Sequence, residues 1–267
     1  MDLQLTGRRA VVTGGGSGIG KATAALLAEE GAVVAIASRS ADRLRTAADE
    51  IAAASGRKVH PVLVDTSDEA SVRAMAAQSA DALGGAAEIL VNCAAIPAGQ
   101  RPVGGFETVT SEMFWADVNV KVLGYLRCAQ ALAPAMIAAG WGRIINVSGL
   151  AARSTGSVVG SIRNVSVAAM TKNLADELGR HGINVTVVHP GLTRTEATPG
   201  VVAATASREG VEPDAVERRL AAGNAIGRMI TADEVAAVIA FLASPRSVAI
   251  NGDAVACGGG TPRVIHY

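Results

Sequence analysis

Short apolar runs alternate with longer stretches of mixed polarity along most of this chain. Ala10-Val11-Val12 and the runs 32–37, 59–64, 88–91, 143–147 and 183–188 are rich in β-branched residues and read as strands. The stretches 21–30, 41–54, 68–83, 111–136 and 165–178 read as helices, and Asp65-Thr66-Ser67 supplies an N-cap for the third of them. A further helix at 232–243 stops at Ser244-Pro245, and a last strand at 253–256 precedes Gly258-Gly259-Gly260. Apolar strands alternating with helices predict an α/β fold: a doubly wound parallel sheet with helices on both faces. In such a sheet, ligands bind in the loops at the C-terminal ends of the strands.

The first strand runs directly into Thr13-Gly14-Gly15-Gly16-Ser17-Gly18-Ile19-Gly20, and the first helix follows. A strand, a glycine turn and a helix N-terminus together make an anion site. Gly14, Gly18 and Gly20 permit a tight turn, close backbone approach to a pyrophosphate and close packing of helix on strand, while free N–H groups and the helix dipole face the negative charge.

Composition narrows the partner. The 267 residues are 49% hydrophobic and 18% charged with a formal net charge of zero, a core-rich globular balance with no electrostatic reason to bind nucleic acid or an anionic membrane. A small molecule is the expected partner. Cys93, Cys128 and Cys257 are far apart and odd in number, which argues against a disulfide framework or a zinc cluster and fits a reducing cytoplasm. Residues 1–9 lack the apolar core of a signal peptide, and no uninterrupted apolar run approaches the roughly 20 residues that span a bilayer. No linker divides the chain, so one domain is expected.

The end of the second strand in a dinucleotide fold meets the adenosine ribose, where a carboxylate binds free hydroxyls and a basic residue accepts a phosphate. Here Ser38-Arg39-Ser40 offers no carboxylate. Arg39, helped by Ser38 and Ser40, suits a 2′-phosphate, although the loop lacks a second basic residue. NADP is therefore expected ahead of NAD.

These residues resemble the short-chain dehydrogenase/reductase family, and the resemblance covers nearly the whole chain. Thr13 to Gly20 matches its TGxxxGxG loop, Asp65 its adenine-side aspartate, and Asn92-Cys93-Ala94-Ala95 its NNAG turn. Asn119 falls in the long helix, Ile144-Ile145-Asn146-Val147-Ser148 precedes the active-site loop, and Pro190-Gly191-Leu192-Thr193-Arg194-Thr195 matches PGxxxT. Cys93, Ala95 and Thr186 depart from the usual asparagine, glycine and asparagine. The resemblance implies a single Rossmann-type NAD(P)-binding domain over 1–267, usually tetrameric or otherwise homo-oligomeric, that moves a hydride between nicotinamide and a carbonyl or alcohol. It assigns cofactor contacts to Gly14, Ser17, Gly18, Ile19, Gly20, Ser38, Arg39, Asp65, Thr66, Asn92, Ala94, Asn164, Pro190, Gly191, Leu192 and Thr195.

The family's catalytic centre is a serine, a YxxxK pair about a dozen residues later, and an asparagine on the long helix. Ser148 and Asn119 are present. Counting back from Thr171-Lys172-Asn173-Leu174-Ala175 places the tyrosine position on Gly160 and the lysine position on Asn164, and a one-residue slip gives Ser161 and Val165. The chain has only two tyrosines, Tyr125 and Tyr267, and neither lies between Ser148 and Lys172, so the acid is missing in either register. Gly160 carries no titratable atom, and Asn164 keeps a hydrogen bond but no charge. Losing a positioned acid costs about 10²–10⁴ in rate.

Three readings follow: an oxidoreductase whose proton is relayed by Ser148 or a water near Gly160, polarised by Arg163; a nucleotide-binding sensor or partner subunit without catalysis; or a tyrosine donated by Tyr267. Tyr125 is expected to pack, His189 to be structural, and Lys121 and Lys172 to be solvated helix positions. Residues 195–223 would cover the substrate, with Gly200 and Gly210 as hinges, and their lack of aromatics suits a small or aliphatic molecule.

Overall fold

The computed structural model describes residues 1–96, 106–263 and 265, so Tyr267 lies outside the described residues. Seven strands form one parallel sheet in the order β3-β2-β1-β4-β5-β6-β9. They are β1 (Arg9–Thr13), β2 (Val33–Ser38), β3 (Val59–Leu63), β4 (Ile89–Asn92), β5 (Gly142–Val147), β6 (Ile183–Pro190) and β9 (Ala254–Cys257). Alternate strand residues feed two cores. Ala10, Val12, Val34, Ile36, Ile89, Val91 and Ile145 face α1 (Gly18–Glu29), α2 (Ala41–Ser55) and α9 (Ala232–Ala243). Val11, Ala35, Leu90, Ile144 and Val185 face α3 (Glu69–Leu83), α5 (Gly124–Ala139) and α6 (Val158–Leu178). Both faces are buried, which is why the strands read as continuous apolar runs rather than alternating ones.

Strand order reverses between β1 and β4, and this switch point at the C-terminal edge is where a doubly wound sheet has its ligand crevice. The glycine turn and Asn92-Cys93-Ala94 both sit there.

The long helix is interrupted. α4 (Ser111–Val118) passes through a wide π turn at Asn119–Leu123 into α5, and the continuous run Ser111–Ala139 is long and apolar enough by length and composition to cross a membrane. It is not an uninterrupted apolar run, since Glu112, Asp117, Lys121 and Arg127 fall within it. The α5 part lies flat on the sheet, burying Cys128, Ala129, Leu132, Ala133 and Met136.

Two expectations are corrected. α6 begins at Val158, seven residues before the sequence suggested, because Ser157 caps it by accepting from the Gly160 amide at 3.0 Å. The covering segment is not a hinged loop: it holds α7 (Thr198–Glu209) and α8 (Pro213–Ala221), with β7 (Thr193–Arg194) paired to β8 (Ile230–Thr231) on either side. Gly200 lies inside α7 and Gly210 ends it in a left-handed conformation.

Two glycines inside helices separate packing from propensity. A Cβ on Gly20 would sit 2.3 Å from the Gly14 carbonyl oxygen, whereas one on Gly200 would meet nothing within 4 Å. Urea denaturation is expected to show Gly20→Ala destabilised by roughly 2–3 kcal/mol despite alanine's better helix propensity, and Gly200→Ala stabilised by up to about 1 kcal/mol.

Candidate functional site

The crevice begins with the glycine turn. A Cβ on Gly14, which has φ +70°, would lie 2.8 Å from the Cys93 carbonyl carbon, so glycine there lets the turn after β1 touch the turn after β4. Thr13 Oγ accepts from the Cys93 and Ala94 amides at 3.3 and 3.4 Å and fastens the same junction. Ser17 precedes α1 without any side-chain cap, whereas Ser40, Asp68, Thr110, Ser157 and Thr231 each cap their own helices. A helix N-terminus that lacks a cap from its own N-cap residue favours an anion. The Gly18 amide donates to a Glu196 carboxylate oxygen at 2.8 Å, and the Thr195 methyl lies 3.3 Å from where a Gly18 Cβ would be. A carboxylate thus stands where a phosphate oxygen would be expected, and it comes from the segment leading into α7.

At the end of β2 the Ser38 hydroxyl is buried and has no hydrogen-bond partner among the described residues. It lies 3.5 Å from the point a Cβ would take on Gly16, and the Arg43 stem approaches that point at 3.3 Å. The sequence pattern offers Arg39 alone as a cation here. Arg43, from the first turn of α2, lays its stem against the Gly16 turn, a contact that only tertiary folding reveals. Across the loop, the Asp65 carboxylate accepts from the Ser67 hydroxyl at 2.6 Å and amide at 2.9 Å, which holds its pKa below the usual range, with a smaller contribution from Arg39. The open helix end, an unpartnered serine hydroxyl and two arginines fit a phosphorylated dinucleotide.

The other half of the crevice centres on Ser148, at the end of β5. Its hydroxyl donates toward the Asn164 carbonyl oxygen at 3.0 Å and the Asn164 Oδ1 at 3.3 Å. The structure therefore brings Ser148 and Asn164 together. Behind them, a buried polar row ties the strand ends to α6. Asn92 donates to Asn146 Oδ1 at 2.9 Å, and Asn146 donates to the Thr171 hydroxyl at 3.0 Å.

Asn119 is elsewhere: its Oδ1 accepts from Arg127 at 2.9 Å and its amide reaches the Ser67 carbonyl at 3.5 Å. The residue that reaches the serine from the long helix is Lys121. Its Nζ donates to the Ser148 carbonyl oxygen at 2.9 Å and to Asn164 Oδ1 at 3.0 Å. The expectation of a solvated lysine is overturned, because the π turn rotates position 121 inward and leaves the side chain only 4% exposed. Burial first, and the Arg163 charge second, bring its pKa down to about 7. Lys172 is solvated as expected, paired with Asp176 at 2.6 Å.

The remaining candidates are committed to other partners. Arg163 pairs with Asp117 at 2.5 Å, and the Tyr125 hydroxyl donates to the Val147 carbonyl oxygen at 3.0 Å, with burial pushing its pKa well above the ordinary value. His189 is buried, accepts from the Gly149 amide at 3.4 Å, and is pushed by burial to about 4, so it is neutral at physiological pH. Gly160 lies in the first turn of α6, where a Cβ would come 2.8 Å from the Ser157 hydroxyl. Pro190 ends β6, and Gly191 packs against Gly258, where a Cβ would approach to 2.9 Å.

Residues 14–261 match the family model described as enoyl-(acyl carrier protein) reductase. The chain is 35% identical over 254 residues to the short-chain reductase protein NovJ of Streptomyces niveus, covering 95% of this chain and 93% of that protein. It is 32% identical over 259 residues to the (2S)-[(R)-hydroxy(phenyl)methyl]succinyl-CoA dehydrogenase subunit BbsD of Thauera aromatica, covering 96% and 98%. The crystal structure of L-sorbose reductase from Gluconobacter frateurii, complexed with NADPH and L-sorbose, superposes with a TM-score of 0.89 at 28% identity, covering 99% of this chain and all of that one. With a glycine turn, an uncapped helix and a serine at the strand ends of one parallel sheet, and with relatives matched over almost its full length, this chain belongs to the short-chain dehydrogenase/reductase family.

Proposed function

We propose that the protein is an NADP-preferring oxidoreductase that moves a hydride between the nicotinamide and a small carbonyl or alcohol, with a proton source other than the family's tyrosine. The observation that carries this reading is the glycine turn before α1, where the unpartnered Ser38 hydroxyl and the Arg43 stem both lie against Gly16 and Arg39 follows the end of β2. Diphosphate oxygens suit Ser17, Gly18, Ile19 and Gly20, and a 2′-phosphate suits Ser38, Arg39 and Arg43. Asp65 and Thr66 fall on the adenine side; Gly14, Asn92 and Ala94 line the crevice floor; Asn164, Pro190, Gly191, Leu192 and Thr195 fall on the nicotinamide side. When bound, the reduced nicotinamide supplies the hydride. The sorbose reductase structure, which holds NADPH, supports the cofactor choice, and its small polar substrate agrees with the small-residue covering segment.

In this reading Gly160 and Asn164 stand where the tyrosine and lysine would be. A second reading, a nucleotide-binding subunit without turnover, is favoured by the absence of any tyrosine between Ser148 and Lys172 and by a relative named as a dehydrogenase subunit. Calorimetric titration with NADPH and NADH, followed by nicotinamide absorbance over a panel of small ketones, aldehydes and alcohols, separates the two. Tighter binding of NADPH with turnover is expected. Binding without turnover across the panel would favour the subunit reading, and no binding would overturn both.

Arg39→Ala and Arg43→Ala should each weaken NADPH binding about tenfold while leaving NADH nearly unchanged, the low end of a charge-assisted contact because both side chains are exposed. Equal losses for both nucleotides would remove the 2′-phosphate assignment.

A further inference from the structure

We infer that Lys121 is the acid of this active site, its Nζ holding and delivering the proton that protonates the substrate carbonyl oxygen next to Ser148. The inference rests on the oxidoreductase reading above. In reduction, an O–H bond forms at the carbonyl oxygen as an Nζ–H bond breaks, and the carbonyl carbon accepts the hydride that a bound dihydronicotinamide would give up, the loss of which leaves the nicotinamide oxidised. The ammonium is left as a neutral amine and regains a proton from water. In oxidation the amine takes the alcohol proton instead.

The geometry argues for Lys121 through the supply of transferable protons around Ser148. The serine has one hydroxyl hydrogen, and it is directed to Asn164. Asn164 Oδ1 can only accept, and it already receives both Ser148 and Lys121. Tyr125 spends its hydrogen on Val147, Arg163 is fixed on Asp117 and does not deprotonate, and His189 is neutral. Lys121 has three N–H bonds, and two reach the Ser148 carbonyl and Asn164. The third has no partner among the described residues.

The charges facing Lys121 come from four neighbouring elements. Arg163 on α6 opposes its protonation and Asp117 on α4 favours it, while Cys93 after β4, its thiol pushed up to about 12 by burial, and His189 on β6 are both uncharged near neutrality. Burial dominates, so the amine changes charge near pH 7 rather than near its ordinary 10.5. The protonated form predominates below that point. Reduction should therefore fall, and oxidation rise, as pH increases through the neutral range.

Two measurements test this. The first needs no cofactor: the side-chain amine signals of isotopically labelled lysine are followed by NMR against pH in the ligand-free wild type, in Lys121→Met and in Lys172→Met. One lysine titrating near neutrality is expected, lost only in Lys121→Met. If every lysine titrates near 10, the inference is overturned, whether or not the protein turns over.

The second compares wild type, Lys121→Met and Lys121→Arg for NADPH affinity and for pH profiles of kcat. Lys121→Met should keep NADPH affinity and lose about 10²–10⁴ in kcat, and Lys121→Arg should lose the neutral inflection. Wild-type turnover retained in Lys121→Met would overturn the inference while leaving the oxidoreductase reading intact. Absence of turnover in wild type would defeat that reading instead. Should Lys121→Met fail to fold, the wild-type NMR titration and the Lys121→Arg profile decide.

Discussion

The wide turn at Asn119–Leu123 is the constraint on which the Ser148 half of the crevice depends. A π turn carries one residue more than an ordinary helical turn, so the faces before and after it no longer follow one stripe. Its loosened backbone is held from outside. The Val120 carbonyl accepts from the Thr66 hydroxyl at 3.0 Å, and the Asn119 carbonyl accepts from Arg127 at 3.3 Å. Gly124 completes the clamp, because a Cβ there would lie 2.8 Å from the Thr66 Cβ. The loop after β3 therefore fixes the helix that presents Lys121, and the segment carrying Asp65 and Thr66 is joined to the Ser148 side.

An ammonium in that position is not explained by stability. Burying a lysine is costly, and an apolar side chain of similar volume commonly fills such a space at lower cost. The charge is tolerated because Ser148 and Asn164 solvate two of its hydrogens. The family resemblance assigns a lysine to α6 and an asparagine to the long helix. Here Asn164 on α6 and Lys121 on the helix opposite meet in one hydrogen bond of 3.0 Å beside Ser148. Asn119, which looked like the family's asparagine, instead braces Arg127 and the loop at Ser67.

Most of the architecture was legible because its signals are local. Six apolar runs became strands within one or two residues of their expected ends, and the helix at 232–243 matched at both ends. The first seven residues of α6 were missed because Val158, Gly160 and Asn164 are poor helix formers, and a serine cap and tertiary packing outweigh them. α7 and α8 were hidden in the same way by a composition of small and polar residues. Lys121 was misread because the π turn breaks the periodicity by which solvent and core faces are told apart.

The two halves of the site also differ in what builds them. The anion end is made of backbone, and backbone that must lie close to other backbone leaves a trace in sequence as side chains that are missing: Gly14 against Cys93, Gly20 against Gly14. That trace is readable without coordinates. The Ser148 end is made of side chains converging from β5, α6 and the long helix, and no spacing within one segment encodes their meeting. Arg43 shows the same limit at the nucleotide end, since its contact with the Gly16 turn joins two segments rather than one. That no tyrosine lies between Ser148 and Lys172 is legible in the chain alone. That a lysine stands beside Ser148 required the fold, because the contact is set by what surrounds Lys121 rather than by its neighbours in sequence.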